Sequence, residues 1–223
     1  MYRSSPARCI ASLTLFVGCI PSAFAFTDVP PGHRFYPSIS WLEQQGAVQG
    51  YANGTYQSDT LVNRAEFLKV LLTLTRPNAP SGDTHCFSDF TGGEQWFWKT
   101  ACAAKALNIV RGYSDGRFRG TQLVTHAEAV KMGVVVLGLS LPVYIREPDH
   151  WYDPYYDAAA SINVFDWAGD ADPHHNLNRG EMAQLLYGFM AALAEQNGSA
   201  ADDADLQCDL TDDDPPRVRC VVQ

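Results

Sequence analysis

The chain has 223 residues, of which 46% are hydrophobic, and its formal net charge at pH 7 is −9. This acidic balance argues against nucleic acid and anionic membrane surfaces as partners, because both carry dense negative charge. No stretch beyond residue 25 approaches the ~18 consecutive apolar residues that a membrane span needs, so no transmembrane segment is expected in the mature chain.

The N-terminus has the organisation of a secretory signal peptide, predicted at 1–25. The basic side chains of Arg3 and Arg8 precede an apolar stretch, and a small-x-small cleavage site ends at Ala25. We expect this segment to be removed on export, which takes two arginines with it and makes the mature net charge −11. A lipoprotein signal cleaved at Cys19 is an alternative that the sequence leaves open.

The mature chain contains an internal repeat, in which three motifs recur after 61 or 62 residues. A third, more divergent copy follows. The repeat predicts three segments, 26–80, 81–142 and 143–194, followed by an acidic tail at 195–223. The recurring motifs are Phe26-Thr-Asp28 with Phe87-Ser-Asp89, Gly50-Tyr51-Ala-Asn53-Gly54 with Gly112-Tyr113-Ser-Asp115-Gly116, and Asn63-Arg-Ala-Glu66 with Thr125-His-Ala-Glu128, while the third copy has His150-Trp151, Asn163-Val-Phe165 and Asn178-Arg-Gly-Glu181.

Each segment is predicted to begin with a helix. The apolar residues that define it have helical spacing, for example Ile39 and Leu42 in the first segment. The helix should end at a residue that readily adopts the left-handed conformation, which Gly and Asn do. Such residues stand at matching positions in the three segments, namely Gly46, Asn108 and Asn163.

A tight turn and a second helix complete the unit. Asn53-Gly54 and Asp115-Gly116 are turn dipeptides. The second helix is predicted to begin with a capping box, in which a first side chain caps the third helical N–H and a glutamate returns to the cap residue. The capping pairs are Asn63 with Glu66, Thr125 with Glu128, and Asn178 with Glu181. We therefore predict a mostly α fold built from helix–turn–capped helix units.

This order of motifs resembles the S-layer homology domain over residues 26–193. The resemblance implies three repeats, the third degenerate, that pack as a pseudo-threefold helical bundle. It also implies a secreted, non-catalytic protein of the cell surface that binds an envelope polysaccharide non-covalently. In that family the ligand is a secondary cell-wall polymer, often pyruvylated, and it lies in grooves between repeats. No cofactor is implied.

The resemblance also indicates which residues line the grooves. Arg64 and Arg179 match the family's groove arginine, and Trp96 and Trp151 match its groove tryptophan. A guanidinium fork suits a ketal carboxylate, and an indole face suits the apolar side of a sugar ring. Two further candidates, for which turn stabilisation is the alternative role, are Asp28 and Asp89.

Two positions depart from the family pattern. Arg34 stands where the first segment should have the tryptophan, and His126 stands where the second should have the arginine. We keep His126 as a candidate binding residue, but expect at most one or two of three grooves to retain the full set. The alternative is a scaffold of the envelope whose repeats have lost sugar binding.

Other chemistries have weaker support. The sequence at 170–181 resembles a calcium loop, but His174 and His175 replace an oxygen ligand and the sharp-turn glycine, so no metal site is expected. We find no nucleophile elbow, phosphate-binding glycine loop or His-Glu-x-x-His motif, and therefore do not expect an enzyme. The acidic tail is predicted to be a flexible spacer. Binding of a protein partner through the tail is a further hypothesis.

The cysteines beyond the signal form an even set, which is typical of exported proteins. Their spacing favours two local disulfides, Cys86–Cys102 and Cys208–Cys220. Neither pair has the C-x-x-C spacing of a zinc site. Free thiols are the alternative in a reducing compartment.

Overall fold

The computed structural model describes residues 26–79, 85–90, 95–145, 147–168 and 172–196, together with the backbone of two strands near the C-terminus. The predicted signal peptide lies outside these residues. The described chain is mostly helical, which confirms the predicted fold class. Its elements are α1 (Tyr36–Gln44), α2 (Arg64–Thr75), α3 (Trp98–Ala106), α4 (His126–Val136), α5 (Asp153–Ala160), α6 (Val164–Ala168), α7 (Arg179–Gln196), β1 (Leu206–Leu210) and β2 (Val218–Val222).

Helices α2, α4 and α7 begin at the predicted capping positions. The N–H of Glu66 donates to Asn63 Oδ1 at 2.9 Å, and the N–H of Asn63 donates to Glu66 Oε2 at 3.0 Å. The same reciprocal pair joins Thr125 with Glu128 and Asn178 with Glu181. Because each box satisfies two backbone amides that the helix itself leaves unpaired, the local sequence fixes where each helix starts.

The residues that precede the three caps form a closed ring of backbone hydrogen bonds. Val62 N–H donates to Leu177 O at 2.9 Å, Leu177 N–H to Val124 O at 3.1 Å, and Val124 N–H to Val62 O at 3.0 Å. All three side chains are at most 1% exposed. The ring holds the starts of α2, α4 and α7 around one axis, so that each start depends on the other two.

The helices pack in a cyclic order. α2 lies against α3, α4 against α5, and α7 against α1, so each capped helix packs on the first helix of the following segment. Phe189 of α7 is 1% exposed. Its ring lies so close to α4 that a Cβ added at Gly133 would approach it to 2.4 Å. The segments therefore share one hydrophobic core.

The first helices end as predicted. Gly46, Asn108 and Asn163 have φ values of 66°, 58° and 61°, the left-handed conformation expected at these positions. Two further residues, Gln57 and Arg119, have φ values of 59° and 55°. These two were not predicted, because glutamine and arginine rarely adopt this conformation.

A disulfide joins Cys86 to Cys102, with a Cα–Cα distance of 5.6 Å. It ties the chain before α3 to a buried position of that helix. Near the C-terminus, β1 and β2 form an antiparallel hairpin in which Cys208 and Cys220 are direct backbone partners. The predicted bond between that second pair involves side chains outside the described residues, so it stays a prediction.

Within the described ranges, none of the helices is long and apolar enough to cross a bilayer.

Candidate ligand clefts between the segments

Two open clefts lie where the segments meet. Cleft 1 has a volume of about 370 Å³ and cleft 2 of about 430 Å³. In each cleft, one capped helix supplies a glutamate and a lysine, and the start of a capped helix from another segment supplies an arginine. The remaining segment supplies a tryptophan. These four residues are Glu66, Lys69, Arg179 and Trp96 in cleft 1, and Glu128, Lys131, Arg64 and Trp151 in cleft 2. Each cleft thus combines side chains from all three segments.

Backbone contacts between segments position the two arginines. Arg64 and Arg179 are the first residues of α2 and α7. Arg64 N–H donates to Gln122 O at 2.8 Å, and Arg179 N–H donates to Thr60 O at 2.9 Å. Since each acceptor belongs to a neighbouring segment, both arginines are fixed at a seam.

Arg64 is held in a polar cluster. Its Nη1 lies 3.4 Å from Glu128 Oε1, and Tyr113 donates its hydroxyl to the same oxygen at 2.6 Å. Burial, together with this hydrogen bond, raises the pKa of Tyr113 to about 12, so the hydroxyl stays protonated at neutral pH. Among the described residues, nothing accepts a hydrogen bond from the buried Nε of Arg64. The cluster therefore leaves one guanidinium donor unsatisfied.

Arg179 makes a different set of contacts. Its Nε donates to Tyr56 O at 2.9 Å and its Nη2 to Gln49 O at 3.2 Å. The guanidinium carbon lies 4.3 Å from the ring centre of Tyr56 and 5.2 Å from that of Tyr51. No described carboxylate pairs with it, so its charge is not neutralised by an ion pair.

The two tryptophans present exposed indoles beside lysines. Trp96 is 58% and Trp151 is 52% exposed. Lys69 Nζ lies 5.5 Å from the ring centre of Trp96, and Lys131 Nζ lies 5.3 Å from that of Trp151. An exposed aromatic face next to a cation can take up the apolar side of a sugar ring and a nearby anionic substituent together.

Three cations that line these clefts were not among the predicted site residues. Lys69 and Lys131 each follow the capping glutamate by three residues, and cleft 2 also includes Arg111. The repeat itself carried the signal for the lysines, which recur after 62 residues. A lysine on an exposed helix face is so common that the pattern alone gave no reason to select it.

The structure does not bring His126 into either cleft. Its N–H donates to His175 O at 2.8 Å, as the two arginines do to their neighbours, but its side chain is only 3% exposed. The imidazole Nδ1 is hydrogen-bonded to the Tyr156 hydroxyl, and the ring lies 6.3 Å from Phe165. The contact between the second and third segments at His126 and His175 is here called the third seam. At this seam the residue in the position of the groove arginine is part of a buried aromatic cluster.

Two more groups of the third seam are engaged locally. Glu181 is 2.9 Å from His175 Nε2. Arg34, in the position of the groove tryptophan, has its guanidinium carbon 4.2 Å from the ring centre of the adjacent Phe35. The seam thus has no indole at the tryptophan position and no guanidinium at the arginine position.

The structure places Asp28 and Asp89 in turns and outside the residues that line the two clefts. Asp28 accepts hydrogen bonds from the N–H groups of Tyr56 and Gln57, both at 2.7 Å. Asp89 accepts from Phe118 and Arg119 at 2.9 and 2.8 Å. Each carboxylate therefore supports the left-handed residue that the sequence did not predict.

Replacing Asp28 by asparagine should destabilise the fold at neutral pH by about 1 kcal/mol, because an amide offers only one acceptor to two N–H donors. Burial raises the pKa of Asp28, but the backbone hydrogen bonds outweigh it and hold this pKa below the ordinary 3.8. The stabilisation is thus present above pH 3.8 and is lost as the pH falls through the lower folded-state value. Urea unfolding should show a gap between wild type and Asp28→Asn at pH 7 that closes in acid.

Asp59→Asn makes the same charge change at an exposed carboxylate that does not accept the N–H groups of Tyr56 and Gln57, and it serves as the control. An equal gap at acidic and neutral pH would contradict the role of the ionised Asp28.

The loop that resembled a calcium site shows local hydrogen bonding. The N–H of His174 donates to Asp172 Oδ1 at 2.9 Å. In the part of the chain that the structure describes, no group of three or more His, Cys, Asp or Glu residues is arranged to hold a metal. Asp170, the first position of the proposed loop, lies outside that part.

Two of the three segments are similar to a known domain family. The model of the S-layer homology domain matches residues 25–68 and 87–130. The chain is 28% identical over 152 residues to the middle cell wall protein of Brevibacillus brevis, a match that covers 67% of this chain and 14% of that protein. It is 28% identical over 135 residues to a surface layer protein of Brevibacillus choshinensis, covering 58% of this chain and 12% of that protein.

An enzyme is also among the relatives. An endoglucanase of Bacillus sp. is 29% identical over 149 residues, which cover 65% of this chain and 15% of the enzyme. The chain thus spans 12% to 15% of the length of these three relatives. What the similarity supports is the shared segment and its place at the cell surface, and the enzyme's activity does not follow from it.

Proposed function

We propose that this secreted protein of the cell envelope, two segments of which match the S-layer homology domain, binds an anionic envelope polysaccharide in clefts 1 and 2. The observation that carries the proposal is the pairing of a guanidinium with an exposed indole in each cleft. The arginine takes a carboxylate such as a pyruvate ketal, and the indole stacks on the sugar ring. The protein acts by holding the polymer and not by catalysis.

Residues 143–194 form the third, degenerate repeat in this proposal. The closed ring through Val62, Val124 and Leu177 supports it, because the third segment occupies a place equivalent to the other two. The capping box of Asn178 and Glu181 supports it as well. The third seam does not bind sugar in the same way, since His126 is buried against aromatic rings.

Ligand capture should be local and not steered over a distance. The chain has 25 acidic and 16 basic residues, so its overall field repels an anionic polymer. Lys69 and Arg179 in cleft 1, and Arg64, Arg111 and Lys131 in cleft 2, are the cations that counter this field. We therefore expect specific binding with a modest association rate.

Co-sedimentation tests the function. The mature chain should sediment with isolated envelope polysaccharide and be released by a soluble glycoside that carries one pyruvate ketal. Polymer from which mild acid has removed the ketals should retain it poorly. Equal retention on both polymers would remove the ketal as the recognised group.

A scaffold without sugar binding is the second candidate. The third seam supports this candidate, because it has His126 at the arginine position and Arg34 at the tryptophan position. In this case the chain would not sediment with either polymer. An acidic tail that recruits a protein partner fits both candidates.

A further inference from the structure

A smaller recess lies next to cleft 1, and neither Arg179 nor Trp96 lines it. It has a volume of about 260 Å³. Three cations line it, Lys69, Arg76 and Lys99, and we call it the basic recess. Lys69 and Thr73 line both cleft 1 and the basic recess, so the two are continuous along one side of α2.

The basic recess is positively charged in an acidic protein. The described residues that line it include no aspartate or glutamate, although acidic residues outnumber basic ones by 25 to 16 in the chain. Lys69 and Lys99 make no ion pair with any described carboxylate. Their ammonium groups lie beside indoles instead, 5.5 Å from the ring centre of Trp96 and 5.4 Å from that of Trp98. Two neighbouring ammonium groups without a described ion-pair partner favour an anionic ligand.

The equivalent region beside cleft 2 keeps the counterpart of Lys69, which is Lys131, but lacks basic counterparts of Arg76 and Lys99. Through the 62-residue offset Arg76 corresponds to Gly138, and through the 55-residue offset between the tryptophans Lys99 corresponds to Pro154. Tyr155 takes the place of Thr100, and its ring centre lies 5.0 Å from Lys131 Nζ. The basic recess is therefore a feature of cleft 1 and not of the repeat.

We propose that the basic recess is a second anion subsite, which takes the next negatively charged group of the polysaccharide strand held in cleft 1. This inference rests on the proposed function of cleft 1. Lys69 lies between the two subsites and contacts both parts of the strand, while Lys99 contacts only the second. Cleft 1 thus selects strands with closely spaced charges, and cleft 2 accepts a single charged residue.

Titration calorimetry with two probes tests the subsite, one oligosaccharide with a single pyruvate ketal and one with ketals on two adjacent repeating units. The measurements use the Trp151→Ala background, which weakens cleft 2 and leaves the basic recess intact. The two-ketal probe should bind about fivefold more tightly than the one-ketal probe, the range expected for an exposed ion pair. Lys99→Gln should remove this difference and leave the one-ketal affinity unchanged.

Arg117→Gln is the matched control, because it removes one positive charge from a 62% exposed side chain that lines neither site. Equal losses in Lys99→Gln and Arg117→Gln would show only a general charge effect and overturn the subsite. Equal affinity for the two probes would also overturn it, while cleft 1 would stand. If neither probe binds, the proposed function of cleft 1 fails, and the subsite fails with it.

Discussion

Replacing the arginine and the tryptophan of both clefts together should abolish retention on pyruvylated polysaccharide. In cleft 1 the change is Arg179→Gln with Trp96→Ala, and in cleft 2 it is Arg64→Gln with Trp151→Ala. Each pair removes a charge-assisted hydrogen bond and an aromatic stacking surface, and we expect about a hundredfold loss of affinity per cleft. Because two sites on one chain reinforce each other on a polymer, the fourfold variant should lose more than either pair alone.

The affinity of each variant is measured by binding a dilution series of the protein to surface-immobilised polymer. Thermal unfolding must accompany it, since Arg64 is 8% exposed and pairs with Glu128, so its loss also weakens the fold. Arg179→Gln leaves the carbonyls of Tyr56 and Gln49 without a donor and should cost less. The cleft 1 pair is therefore the cleaner test.

Arg34→Gln is the control for the third seam. This exposed arginine stands in the tryptophan position of the first segment, away from both clefts, so its loss should leave retention unchanged. Unchanged retention in the fourfold variant would show that the clefts are not the binding sites. A loss with Arg34→Gln equal to that of the cleft 1 pair would show that charge, and not position, decides binding.

Replacing Phe189 by alanine should lower the free energy of unfolding by about 3–5 kcal/mol, the usual cost of a large cavity in a packed core. Phe189 is 1% exposed and its ring fills the close approach between α7 and α4 beside Gly133. A loss of this size is a large share of the stability of a typical domain. Urea unfolding followed by circular dichroism and by tryptophan fluorescence measures it.

This substitution also tests whether residues 143–194 belong to the same cooperative unit as the matched repeats. Three of the five tryptophans, Trp41, Trp96 and Trp98, lie in the first two segments, whereas Phe189 lies in the third, so a shared core predicts one transition that moves for both probes. Trp96→Ala, at a 58% exposed position, is the control and should leave the transition in place. Two separate transitions in the Phe189→Ala variant would contradict a single core.

The local features of the fold were predictable because they depend on residues close together in the sequence. The capping boxes involve side chains three residues apart, and all three have the predicted hydrogen bonds. The helix ends at Gly46, Asn108 and Asn163 are left-handed, as their residue types indicated. The predicted Cys86–Cys102 disulfide is present for the same reason, since its cysteines are 16 residues apart.

The roles of several site residues depended on distant parts of the chain. Asp28 had two open interpretations, and the amides that it accepts from are 28 and 29 residues away. His126 and Arg64 occupy the same place in their motifs, but Tyr156 and Phe165 of the third segment enclose the histidine. No local pattern distinguishes a motif residue that lines a cleft from one that a neighbouring segment encloses.

By itself the sequence determined the repeat, the starts and ends of its helices, the first disulfide and the family that the motifs resemble, because each follows from short-range spacing and residue type. Only the tertiary structure decided which side chains share a cleft. The clefts and the basic recess form where α2, α4 and α7 meet the starts of helices from other segments, and Lys69 gains its neighbours Trp96 and Lys99 through that packing alone. Contacts between segments depend on how whole helix faces fit together, and motif spacing does not encode that fit.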